Sequence, residues 1–196
     1  NNADFVWQPE ELLSEWNDPR FRYPALGRHS AQPIKYHFVY QDDWGSIVLA
    51  RIDTNHVLDT AFLSNSLSTD HAVPAIASTD VPWGPIDVVA WEEGNSIRVK
   101  AMGNWEATGL SDEVQFGDYT AHFPTLWMDS CYDCNVGNSK VKFWLAYQKD
   151  TLIFNPAPTM VTDIFAVKCE VQYGSTNRKP DIVVNGNPFS VSRLLT

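Results

Sequence analysis

The segment from Ile86 to Met102, IDVVAWEEGNSIRVKAM, sets two runs of β-branched and alternating residues on either side of a polar, glycine-containing turn. A period of two marks a strand, so the pattern predicts a strand, a tight reversal and a second strand. In the second run Ile97, Val99 and Ala101 fall on one side and Arg98 and Lys100 on the other, giving one face for a core and one for water or a partner. The same period recurs in IKYHFVY (34–40) and SIVLARI (46–52), with QDDWG as the hairpin connection between them. The clearest β region is the last third: KVKFWLAYQ (140–148), a short TLIF ending at Asn155 and Pro156, and MVTDIFAVKCEVQY (160–173). In that last run Phe165, Val167, Cys169, Val171 and Tyr173 share one face opposite Lys168, Glu170 and Gln172, which predicts a long strand with one buried side.

Between these runs the pattern is weaker. Residues 53–85 read as irregular apart from one strand in VLDTAF, EVQFGDYTAHF reads as a strand, and CYDCNVGNS reads as a turn-dense connector. The turn NGN (185–187) separates DIVV from FSVSRLL as a terminal hairpin or arm. The one helix signal is PEELLSEW (9–16), with Pro9 suited to a first helical position, acids in the first turn, and Leu12, Leu13 and Trp16 on one side. Residues 17–33 mix Pro19, Pro24, Gly27 and Pro33 with Arg20, Arg22 and Arg28, the composition of an extended arm. The expected fold is all-β: a jelly roll or β-sandwich of about eight antiparallel strands with one short N-terminal helix and extended terminal arms. The expected organisation is an arm over 1–33, a sandwich over 34–184 and a C-terminal strand or arm over 185–196.

Composition narrows the function. At 196 residues and 44% hydrophobic content the chain suits one domain with a sizeable core. A net charge of -10 argues against a nucleic-acid binder that relies on a dense cationic surface. No apolar run approaches the ~20 residues of a membrane helix, so no membrane insertion is expected. The chain starts at Asn1 without a cationic then apolar leader, its three cysteines leave at least one unpaired, and no asparagine lies in an N-x-[ST] context. These features lead to the expectation of synthesis in a host cytoplasm as part of a longer precursor.

Candidate chemistry is sparse. Cys131 and Cys134 form a lone C-x-x-C, and Cys169 and His122 would have to complete a tetrahedral zinc site that lacks a second paired half. The expectation is therefore no metal, with two loop thiols and a small buried hydrophobe at Cys169. His29, His37, His56, His71 and His122 are scattered. The carboxylate pairs Asp42 with Asp43, Glu92 with Glu93 and Asp112 with Glu113 read as solvated turns, because strand neighbours point to opposite faces while glycosidases need two carboxyls facing each other. No G-x-S-x-G elbow, phosphate loop or dinucleotide fingerprint is present, so no catalytic residue, no cofactor and no enzyme is expected. Of the eight tryptophans, Trp44, Trp83 and Trp105 fall in loop segments and are candidates for carbohydrate or receptor contact, while core or subunit contact is favoured for the set. Arg20, Arg22 and Arg28 are candidates for contact with RNA or a neighbouring subunit.

Three pieces, AWEEGNSIRVKAMGNW (90–105), FWLAYQKDTLIFNPAPTMVTDIFAVKCEVQY (143–173) and the proline- and arginine-bearing start, resemble parts of picorna-like virus capsid proteins, the comovirus-type small coat protein being closest in size. The resemblance implies a jelly-roll coat protein that self-assembles into a virion shell through edge loops and terminal arms. Its implied partners are copies of itself, companion coat proteins, genomic RNA through weak contact, and a glycan or protein receptor. Two alternatives stand beside it. One is a carbohydrate-binding, lectin-like β-sandwich using the loop tryptophans, and the other is a jelly-roll or lipocalin-like enzyme.

Overall fold

Tight polar turns bring successive strands side by side, and the chain fills its sheets in order from N- to C-terminus. A computed structural model describes residues 22–27, 30–31, 34–52, 58–64, 73–81, 84–103, 109–117, 120–135, 138–154, 157–174 and 179–191. The first sheet comprises β1 (Arg22–Leu26), β2 (Ser30–Ala31), β3 (Ile34–Gln41), β4 (Ile47–Ile52) and β5 (Leu58–Phe62), ordered β1-β3-β4-β5 with β2 also on β3. The second is a meander of β6 (Ala75–Val81), β7 (Gly84–Glu93), β8 (Ser96–Gly103) and β9 (Val114–Phe116). The third holds β10 (Ala121–Met128), β11 (Asp133–Asn135), β12 (Asn138–Phe154), β13 (Pro158–Gly174), β14 (Asp181–Val184) and β15 (Phe189–Ser190). Its order is β10-β12-β13-β14, with β11 on β12 and β15 on β13.

The second sheet is the middle layer, as its alternating side chains show. Ile86, Val88, Ala90, Ile97, Val99 and Ala101 point into a core shared with Val141, Phe143, Leu145, Val167, Cys169 and Val171 of the third sheet. The opposite face of the same strands sends Val89, Trp91 and Met102 against Val39, Ile47, Leu49 and Leu63 from the first-sheet segment. A strand covered on both faces can be apolar throughout, and this explains the unbroken run in VVAW. Each large side chain buried in these two cores stabilises the fold by about 1.5–3 kcal/mol. The β7–β8 reversal has positive φ at both Gly94 (59°) and Asn95 (59°), the geometry of a two-residue turn that keeps twisted strands in register.

The all-β class and the antiparallel stacking of sheets agree with the sequence reading; several finer expectations do not. The pairings among the described residues are those of three meander-like antiparallel sheets with fifteen strand segments, which give the all-β class and do not by themselves give a jelly roll. The reason is local: each short turn delivers the next strand to the neighbouring position of the same sheet. The helix expected over 9–16 lies outside the described residues. Part of the expected arm, Arg22–Leu26, is instead a strand on the edge of β3, with Leu26 opposite Phe38. Within the segment expected to be largely irregular, β6 pairs with β7 over its full length. EVQFGDYTAHF divides into β9 and β10 around Gly117, whose φ is 77°. TLIF is not a separate strand but the end of β12, which pairs with β13 through seventeen residues. Of the expected terminal hairpin or arm, the described residues show β14 and β15 lying end to end along β13 and not paired with each other, with Ile182 opposite Val171 and Phe189 opposite Ala166. The exposed edge of β13 and the core beneath it offer Ile182 a buried seat, as Asn185 N–H donates to Lys168 O at 2.9 Å between the two segments.

Candidate functional site

Of the three carboxylates on strand β7, Asp87 and Glu92 are five residues apart, which sends them to opposite faces. Asp87 points to the first sheet, where its Oδ1 lies 2.8 Å from His37 Nδ1 with neither side chain exposed. Glu92 points to the third sheet, where its Oε1 lies 2.8 Å from His122 Nδ1. Glu92 and Asp42 are both buried, which corrects their reading as solvated turn residues. Glu93 instead accepts from Trp91 Nε1 at 3.0 Å, and Lys100 Nζ lies 5.9 Å from the Trp91 ring while donating to Leu63 O at 2.6 Å. The face of β8 that bears Arg98 and Lys100 thus meets other parts of the chain, including Glu113, which lies 3.2 Å from Arg98 Nη1 and 3.5 Å from Lys100 Nζ. These groups tie layers together, and each carboxylate is engaged by a structural donor.

The thiols follow the same logic. Cys131 and Cys134 are joined in a disulfide, which removes both as thiolate ligands. Cys169 is fully buried in the main core, and burial pushes its thiol up to about 12, far from the thiolate form. Among the described residues no three His, Cys, Asp or Glu side chains gather to hold a metal ion.

Of the sequence-derived contact candidates, Trp44 is placed clearly. It is 62% exposed at the tip of the β3–β4 turn, where Asp42 Oδ1 accepts from the backbone N–H of Trp44 at 3.0 Å and of Ser46 at 2.8 Å. Such an Asx-type turn, with Gly45 at φ 85°, fixes the backbone that presents the indole. Trp83, Trp105, Arg20 and Arg28 lie outside the described residues, and Arg22 opens β1 opposite Gln41. Trp91 is buried in the core between the first and second sheets.

Surfaces that the sequence did not single out are more extensive. On the outer face of the third sheet Trp127 and Trp144 are cross-strand neighbours, Phe189 meets Trp144 edge-on at 6.2 Å, and Lys168 Nζ lies 5.8 Å from the Trp144 ring. Beyond this row β12 and β13 run on as a ribbon whose Leu152, Ile153, Phe154, Met160, Val161 and Ile164 are all exposed, Phe154 at 73%. On the far side of the stack Leu26, Tyr36 and Phe62 are exposed around the small buried cluster of Tyr40, Val48 and Ala50. The signal for the ribbon was TLIF itself: a wholly apolar run that alternation could not assign to one buried face.

No protein-family model matches the chain, and no curated protein matches it.

Proposed function

We propose that the chain is a structural subunit of a multi-copy shell, the coat-protein role that the sequence resemblance implies. The observation that carries this reading is apolar surface on both outer sides of the stack: Leu26, Tyr36 and Phe62 on one, Trp127, Phe189 and the β12–β13 ribbon on the other. A monomer rarely exposes more than a few hundred Å² of contiguous apolar surface, whereas a tile needs contacts on more than one side. Face-to-face and edge-to-edge packing of sandwiches meets that need without any catalytic group. Light scattering and negative-stain electron microscopy over a range of salt and pH test it. Closed assemblies, alone or with companion subunits, are the expected result, and a monodisperse monomer under every condition overturns it.

A second reading is favoured by one feature, the exposed Trp44 on its hydrogen-bonded turn, which has the form of a platform for stacking a sugar ring. Binding on a glycan array that is lost in Trp44→Ala supports a lectin-like module. A flat array removes it.

A further inference from the structure

The β12–β13 ribbon outruns its neighbours. β10 accompanies β12 as far as the Ala121–Lys149 pair, and Asp150 N–H donates to Thr120 O at 2.9 Å. On the other side β15 accompanies β13 at Phe165 and Ala166, and Val191 N–H donates to Ile164 O at 2.7 Å. From Thr151 to Phe154 and from Pro158 to Asp163, the only strand pairing among the described residues is between the two ribbon strands. Leu152, Phe154 and Met160 share one face and Ile153 and Val161 the other, so both faces present apolar side chains to water. A two-stranded ribbon of this kind is marginal by itself and gains stability from further strands.

The two edges differ. That of β13 carries Pro158, which lacks a donor, and Asp163, which carries charge; both are devices that discourage strand addition. That of β12 carries Thr151, Leu152, Ile153 and Phe154, with neither charge nor proline. The chain as a whole has a net charge of -10, so copies of it repel, and an uncharged edge is where two copies approach at least electrostatic cost. The six exposed apolar side chains lie on both faces of the ribbon beside this edge, so a second ribbon added there extends each apolar face instead of leaving it to end at water.

We propose that Thr151–Phe154 pairs antiparallel with the same segment of a second copy, merging two ribbons into a four-stranded sheet across a two-fold axis. Antiparallel pairing of identical strands is self-complementary, so one segment supplies both halves of the contact. The proposal rests on the multi-copy reading above and names a contact which that reading requires.

The test uses the full chain. Ile153→Lys places a charge on the edge at a position remote from both cores, and it is expected to weaken self-association at least tenfold in sedimentation while leaving the near-ultraviolet circular dichroism unchanged. Leu152→Cys and Ile153→Cys, each oxidised by itself, are expected to give a covalent dimer at whichever of the two residues sits on the two-fold axis and faces its own copy. Thr159→Cys, one strand further from the axis and beyond the ~7 Å reach of a disulfide, is expected to give none when oxidised by itself. Assembly unaffected by Ile153→Lys together with no covalent dimer overturns this contact and leaves the shell reading to its own test. Protection of the 151–154 amides in a stable monomer shows the edge covered by the chain's own residues and overturns both.

Discussion

His37 Nδ1 and Asp87 Oδ1 stand 2.8 Å apart between the first and second sheets, with neither side chain reaching solvent. A buried hydrogen-bonded pair contributes little net stability compared with apolar groups of the same volume, but removing one member costs the other this hydrogen bond in a site closed to water. Asp87→Ala removes one partner of a buried hydrogen bond and is expected to destabilise the fold by about 1–3 kcal/mol, and the double variant His37→Leu with Asp87→Leu by less than the sum of the two single leucine changes. Urea denaturation of the four leucine-cycle proteins and Asp87→Ala measures both. Additive losses in the cycle would falsify the coupling.

A second pair sets a pH signature. The Tyr132 hydroxyl donates to Glu170 Oε2, and Gln172 Nε2 donates to Glu170 Oε1 at 2.8 Å. The hydrogen bond to Glu170 pushes the Tyr132 phenol up to about 12, and the same bond holds the Glu170 carboxyl below its ordinary value against the opposing effect of burial. For the depressed carboxyl, stability is fully present above the unfolded value of about 4.3 and is lost as pH falls through the lower folded value. For the raised phenol, stability is present below the unfolded value of about 10 and is lost as pH climbs through the folded value. The stability gap between the parent and Tyr132→Phe is expected to be widest between these limits and to close at both ends. A gap independent of pH in a denaturation series contradicts the pairing.

How far the sequence carried depends on whether each strand had one neighbour or two. For β13 a single covered side produced clean alternation, and for β8 the long polar side chains Arg98 and Lys100 kept the alternation visible although both faces are covered, so Ile97, Val99, Cys169 and Val171 were assigned to the core from spacing alone. For β7 alternation is masked, because Val88 and Val89 serve different cores, and nothing local announces a third layer. AIASTDV was overlooked as a strand since its small and polar residues are weak β-formers, and its place is fixed by pairing with β7. Hairpin and arm could not be told apart at the C-terminal end because a turn signal at Asn185–Asn187 also suits an interruption within an edge strand, and only the edge of β13 decides where Asp181–Val184 and Phe189–Ser190 pair. Trp44 was legible as a loop residue; the apolar ribbon was not, because sequence pattern cannot say that a strand outruns its sheet.

The cysteines give a count that needs no assembly. Cys169 is buried with its thiol raised by desolvation, and Cys131 and Cys134 are bonded to each other. An Ellman's-type titration at mildly alkaline pH is expected to find no reactive thiol in the native protein, Cys169 alone after unfolding without reductant, and all three after unfolding with reduction. A thiol that reacts in the native state at the rate of free cysteine contradicts the burial of Cys169 or the Cys131–Cys134 bond, and peptide mapping of the modified residue tells which.

Gly103 closes β8 against the ring of Tyr173. A methyl group added at Gly103 would meet Tyr173 Cε2 at 2.7 Å and Cζ at 2.9 Å, inside van der Waals contact, and Tyr173 is only 3% exposed. The ring belongs to the core shared by the second and third sheets, so it cannot swing aside without opening space beside its neighbours. Gly103→Ala is expected to cost about 1–3 kcal/mol through overpacking. Tyr173→Leu removes the ring atoms that collide and also loses buried area, so by itself it destabilises. Combined with Gly103→Ala it leaves room for the new methyl, and the double variant is expected to be more stable than the sum of the single changes predicts. Thermal unfolding of all four proteins measures the difference, and strict additivity shows that the Gly103–Tyr173 contact does not set the spacing between these sheets.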